Sequence, residues 1–182
     1  MERREKNFKT IIFVLFCLFS LWILLQILAP IVLPAGSVSD LSGFVALSDN
    51  EETMQNMGVP WGFMYSAGDL LCHQKAERSF FINSNQMPFC ARCTAIWMGI
   101  ALGLGVMVFY KIKLNEKFLL FLFLSLVPIG IDGIGQLFGF WESTNIVRVI
   151  TGLLIGLVSG VALGIIIDEI KEIMIFKKTK SS

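Results

Sequence analysis

The chain has 182 residues, 55% of them hydrophobic, and its 15 lysines and arginines against 14 aspartates and glutamates leave a net charge of +1. So apolar a composition excludes an ordinary soluble domain, and so balanced a charge provides no field to draw the protein to nucleic acid. A mean hydropathy of +0.72 points instead to several bilayer spans, and with no linker separating two cores the chain reads as one membrane domain, residues 1–182.

The basic segment ERREKNFK precedes an apolar run at 8–33. That run far exceeds the roughly 7–15 residues of a signal-peptide apolar region, so it is expected to stay as an anchor. Pro30 and Pro34 mark its end. Residues 35–57 are polar, acidic and rich in small side chains, and are expected to form a loop. GVPWGFMYSAGDLLCHQ carries Trp61, Phe63 and Tyr65 but is too short to span, which predicts an interfacial helix. KAERSFFINSNQMP then predicts a polar hairpin. Three further apolar runs follow at 94–110, 118–138 and 146–167. Each comes near the about 20 residues that cross a bilayer as a helix. The fold class expected is all-α: an integral membrane four-helix bundle with an exoplasmic interfacial helix and Cys/His hairpin within residues 35–93.

Orientation follows from basic residues. With the N-terminus inside, only Lys75, Arg78, Arg92 and Arg148 among the 15 lysines and arginines lie outside. The positive-inside rule then places the chain in the cell membrane as a multi-pass protein with both termini cytoplasmic.

Two spans carry packing signals. Gly152, Gly156, Gly160 and Gly164 recur every fourth residue, and Gly99 and Gly103 offer a shorter stripe that could meet them. Such small faces let helix backbones approach closely in lipid. The third span contains VPIGIDGIGQ, where Pro128 and three glycines predict an interrupted helix facing an internal pocket.

The first candidate site joins LLCHQ to MPFCARCT. Cys72, His73, Cys90 and Cys93 match the number and type of ligands in a structural zinc site, with Cys90 and Cys93 as a C-x-x-C half-site. Adjacent residues rarely both reach one ion, so a site using only one of Cys72 and His73 would have three protein ligands and an open position. The same thiols support a redox reading, because a helix N-terminus favours thiolate. Such a protein would pass electrons to a lipid-soluble quinone, in an architecture similar to that of vitamin K epoxide reductases. A plain disulfide clip or inert buried thiols are the bland alternative.

The second candidate site lies in the spans. Asp132 and Gln136 share a helix face, and Asn145 and Arg148 stand at the same end of the next span. A carboxylate in lipid needs a cation, and Arg148 is the expected partner of Asp132. Helix interlocking explains such a pair as well as function does. Polar residues crowd the end where the cysteines open, and packing alone gives no reason for that. The reading is a small membrane enzyme or binding protein. Asp132, Arg148 and His73 are its candidate catalytic residues; Arg92, Gln136, Asn145 and Arg148 would bind an anionic or lipid-linked ligand. An accessory subunit without chemistry is the remaining class.

The combination CHQ, RSF, PFCARCTAI, then P-x-x-x-D-G-x-x-Q, then ESTN-x-x-R-x-x-TG-x-x-x-G resembles the prokaryotic membrane proteins of domain of unknown function 2085. The resemblance runs from about residue 68 to 156. Ala95 and Trp97 stand where that family usually has glycine and tyrosine. It implies that both polar sets belong to one unit and supplies no activity.

Overall fold

The computed structural model describes residues 2–41 and 50–180. Its helices are α1 (Glu2–Val32), α2 (Glu51–Gln55), α3 (Trp61–Leu71), α4 (Ala91–Phe109), α5 (Glu116–Leu137) and α6 (Asn145–Lys180). A single 3-10 turn (Ala76–Arg78) and a two-stranded hairpin, β1 (Phe81–Ile82) with β2 (Asn85–Gln86), connect α3 to α4. Among the described residues, four helices are long and apolar enough to cross a membrane: Lys9–Val32, Ala91–Phe109, Glu116–Leu137 and Asn145–Ile170. The protein is therefore a predominantly helical membrane protein, as its apolar runs predict.

The bundle is ordered α1, α4, α6, α5, with α4 and α6 in the most extensive contact. Glycine explains why. A methyl group on Gly156 would overlap the Ile96 carbonyl, one on Gly160 the Ile100 carbonyl, and one on Gly103 the Leu157 carbonyl. The two stripes read from the sequence meet each other, so α4 and α6 run parallel with their backbones in contact. In lipid, where burial of apolar surface does not drive association, this close approach is the main source of helix–helix attraction. The outer helices α1 and α5 bury little of their surface in the protein, leaving Phe13, Leu18, Leu21, Leu120 and Phe123 exposed for lipid.

Three expectations change. The third span is not interrupted: α5 continues through Pro128, since proline removes only one ladder hydrogen bond from a helix of 22 residues. The expected loop at 35–57 is partly built into the core. Val38, Leu41 and Met54 are buried, and a short helix, α2, occupies Glu51–Gln55; residues 42–49 of that loop lie outside the described residues. The predicted interfacial helix exists as α3, but one of its faces is inside the protein, with Met64 and Tyr65 fully buried. Its other face leaves Phe63, Leu70 and Leu71 exposed.

Carboxamides hold the hairpin end together. Asn85 Nδ2 donates to the carbonyls of Pro30 (2.9 Å) and Pro34 (3.0 Å) at the end of α1, while its Oδ1 accepts from Val38 N (3.0 Å). Gln86 Oε1 accepts from Leu41 N (2.9 Å), and its amide nitrogen donates to the Gln74 carbonyl. Each buried amide satisfies backbone groups that a loop would otherwise leave unpaired.

Candidate functional site

Three cysteines converge where α3, the hairpin and α4 meet. Cys72 caps the C-terminus of α3, Cys90 is the N-cap of α4, and Cys93 lies in the first turn of α4. Their Sγ atoms all lie within 4.8 Å of one another, and none is in a disulfide. Cys90 N donates to Cys72 Sγ at 3.4 Å. Around them pack Tyr65, Phe89 and the Trp22 ring of α1.

Local backbone chemistry places the sulfurs. Gly68 allows α3 to press on the Pro88 carbonyl, which any Cβ there would overlap. Gln74 Nε2 then donates to Pro88 O (2.8 Å) and Tyr65 O (3.2 Å), and Tyr65 Oη donates to Gln86 O (2.6 Å). The third residue of CHQ thus fastens the chain just ahead of CARC onto α3. Sequence reasoning missed this part of the motif; the signal available was a polar residue in a short apolar-flanked loop.

The arrangement separates His73 from the cysteines. Cys72 is extended, with φ −144° and ψ 149°, and successive side chains of an extended chain point to opposite sides. Cys72 faces the trio and is buried, whereas His73 is exposed and outside it. Of the four candidate ligands, the structure brings the three cysteines together and leaves His73 apart, the arrangement expected if only one of Cys72 and His73 belongs to the site.

Proximity sets the thiols apart chemically. Interaction with the Cys72 and Cys93 thiols holds Cys90 below the ordinary thiol range, against the opposing effect of burial. The reciprocal interaction with Cys90, with burial added, pushes Cys72 up. The donor set fits a thiophilic ion. Sulfurs bound about 2.3 Å from tetrahedral zinc stand about 3.8 Å apart, within the spread seen here.

A polar network lies beside the trio. Asp132, 5% exposed, pairs with Arg92 of α4 and not with Arg148. It also accepts from Gln136 Nε2 (2.9 Å) and from Trp141 Nε1 (3.3 Å). Arg148, 3% exposed, reaches the same network through Gln136 Oε1 (3.3 Å) and donates to Asn145 Oδ1 (3.0 Å) and to the Glu77 carbonyl (3.5 Å). Asn145 Nδ2 donates to the Ser79 carbonyl (3.2 Å). The five span-end residues singled out in the sequence, Arg92, Asp132, Gln136, Asn145 and Arg148, therefore form one connected set. Trp141 belongs to it too. A Schellman turn ends α5, with Phe140 N donating to Gly135 O and Gly139 N to Gln136 O at a glycine of φ +71°. That turn folds Trp141 back onto Gly135 and Asp132. The glycine just past the span was its sequence signal.

Gln26 was also missed. It is fully buried in α1, and both its amide atoms lack a hydrogen-bond partner among the described residues. It occupies the hairpin half of its span, the same half as the other polar residues.

A multi-pass helical membrane protein with a thiol cluster and a buried charged network at one end is the class that fold and site define. Within that class, the chain belongs to the family described as predicted membrane protein, domain of unknown function 2085, which residues 72–165 match. An uncharacterised protein of Methanocaldococcus jannaschii is 39% identical over 97 residues, covering 51% of this chain and 61% of that protein. An uncharacterised protein of Methanothermobacter thermautotrophicus is 31% identical over 105 residues, covering 58% of this chain and 91% of that one. No solved structure matches the chain.

Proposed function

We propose that this is a zinc-binding membrane protein whose metal centre, held by Cys72, Cys90 and Cys93, braces a polar pocket for an anionic or lipid-linked ligand. The observation that carries the reading is the convergence of three thiol sulfurs, from two separated segments, within 4.8 Å. Two cysteines suffice for a disulfide. A third sulfur at ligand spacing has its plainest use in a metal.

Three protein ligands is the count found in catalytic zinc sites, where the ion acts as Lewis acid or lowers the pKa of a bound water. Beside it, Asp132 holds Arg92 in place and Gln136 carries that order on to Arg148 and Asn145. In this reading the guanidinium groups bind the anion. His73, exposed and apart from the trio, has no role in it. The positive-inside pattern supports an exoplasmic position for the site.

Elemental analysis of protein purified without chelator tests the proposal. Near-stoichiometric zinc, lost in Cys72→Ser, Cys90→Ser and Cys93→Ser, is the expected result. A metal-free protein with a reducible Cys90–Cys93 bridge by mass spectrometry would replace it with the thiol–quinone oxidoreductase reading.

A further inference from the structure

Three arginines gather at the hairpin end, and two of them keep a donor without a hydrogen-bond partner among the described residues. Arg148 donates to the Glu77 carbonyl at 3.5 Å and Asn145 to the Ser79 carbonyl at 3.2 Å, so the start of α6 is stitched to the residues on either side of Arg78. Against the guanidinium groups of Arg78, Arg92 and Arg148 stand the buried Asp132 carboxylate, which Arg92 takes, and the Cys90 thiol of the adjoining trio, held below the ordinary thiol range. Glu77 is the other acid at hand; its carboxylate stands 3.9 Å from Arg78 Nε and is more than half exposed. The Nε atoms of Arg78 and Arg92 are buried without a hydrogen-bond partner among the described residues. Guanidinium donors left unpaired in this way are matched by a planar or tetrahedral oxyanion.

The segments that carry the arginines also wall an open groove of about 450 Å³. Phe80 and Phe81 follow Arg78, Ala91 precedes Arg92 and Val149 follows Arg148, and all four line it. Its lining is apolar except for Thr94, and Phe80 and Phe81 stay exposed at its rim. An apolar slot beside a cationic cluster, at the end of the spans where headgroups lie, is complementary to a molecule with a hydrocarbon chain and one anionic head.

We propose that Arg78, Arg92 and Arg148 bind the phosphate of a membrane lipid whose chain occupies the groove lined by Phe80, Phe81 and Val149. This deepens the proposed function and rests on its anion pocket, adding Arg78 and naming the ligand class. A phosphate on Arg78 bridges the hairpin to α6, and the chain lies along α4. The recognised part is a phosphate whose charge no headgroup cation offsets, as in phosphatidic acid; the choline ammonium of phosphatidylcholine competes with the arginines for it.

Native mass spectrometry of the detergent-purified full chain, offered equal phosphatidic acid and phosphatidylcholine, tests it. Phosphatidic acid should be retained in preference. Arg78→Gln, at a partly exposed position, should weaken that retention about tenfold, the effect of losing one charge-assisted contact. Phe81→Ser, which opens the groove wall, should weaken it without altering the melting temperature. Equal retention of the two lipids, or retention indifferent to both variants, overturns the proposal. So does displacement of the lipid by inorganic phosphate alone, which would mark a free-anion site. Zinc is measured on the same samples: normal zinc without lipid selectivity refutes this inference alone, and selectivity without zinc refutes the metal reading alone.

Discussion

Asp132 of α5 pairs with Arg92 of α4, although Arg148 is the cation the sequence offers first. The helices α4 and α5 scarcely touch and are separated by α6 in the bundle, so this ion pair spans a gap that packing does not close. Arg148 supports it indirectly, through Gln136.

Asp132→Asn should therefore destabilise the protein more than loss of a surface ion pair does. Removing one partner of a buried pair strands the other, at about 3–5 kcal/mol. Arg92, whose side chain is 22% exposed, recovers part of this from solvent, so about 2–3 kcal/mol is expected. Thermal denaturation in detergent measures it. An unchanged midpoint would mean that the pair contributes no stability. The carboxamide oxygen introduced by Asp132→Asn can still accept from Gln136, and Gln136→Ala, which leaves the ion pair itself in place, should be the milder change.

The glycines divide into two kinds, and alanine substitution should separate them. Gly156 and Gly160 of α6 lie against backbone carbonyls of α4, whereas Gly133 of α5 has nothing within 4 Å of where a Cβ would stand. Gly156→Ala should cost about 1–3 kcal/mol by forcing the two helices apart. Gly133→Ala should be neutral or stabilising by up to about 1 kcal/mol, from helix propensity. Equal effects at both positions would contradict the parallel α4–α6 seam.

How far the sequence carries depends on the kind of signal. The four spans are legible because hydropathy over about 20 residues is dictated by the bilayer itself. The meeting of Gly99 and Gly103 with Gly152–Gly164 follows from matched four-residue spacing. Cys72 with Cys90 and Cys93 is legible as ligand types. Which of Cys72 and His73 joins the other thiols stays open in the sequence, because one extended residue sends neighbouring side chains apart and spacing cannot report a dihedral angle. The partner of Asp132 depends on the rotation of α5, which the Gly139 turn and Trp141 fix, so helix-face arithmetic within one span could not identify it. Val38 and Leu41 read as loop because two apolar residues in a polar stretch form no period; their burial comes from Asn85 and Gln86, residues more than forty positions away.

Neighbouring residues of CHQ should respond in opposite ways. Gln74→Ala removes the bonds to Pro88 O and Tyr65 O and leaves those buried carbonyls short of a donor, at about 1–3 kcal/mol. Because Pro88 leads into Cys90, bound zinc should be lost more readily to a chelator. His73→Ala changes an exposed side chain and should leave zinc content and stability as they were. Zinc loss in His73→Ala would restore the histidine as a ligand and place the trio's geometry in error.

Zinc binding should weaken as pH falls, and the thiols give the sign. Only thiolates ligate, so every proton held by the metal-free site competes with the ion. Cys90, held low by its neighbours, is ready as thiolate at neutral pH, whereas Cys72 is pushed up and keeps its proton. Binding must expel that proton from Cys72. The apparent affinity should then fall about tenfold per pH unit for each proton released, throughout the range below the Cys72 pKa. Competition with a zinc-binding dye between mildly acidic and mildly alkaline pH measures the slope. A flat profile would mean that binding displaces no thiol proton, and would overturn Cys72 as a ligand.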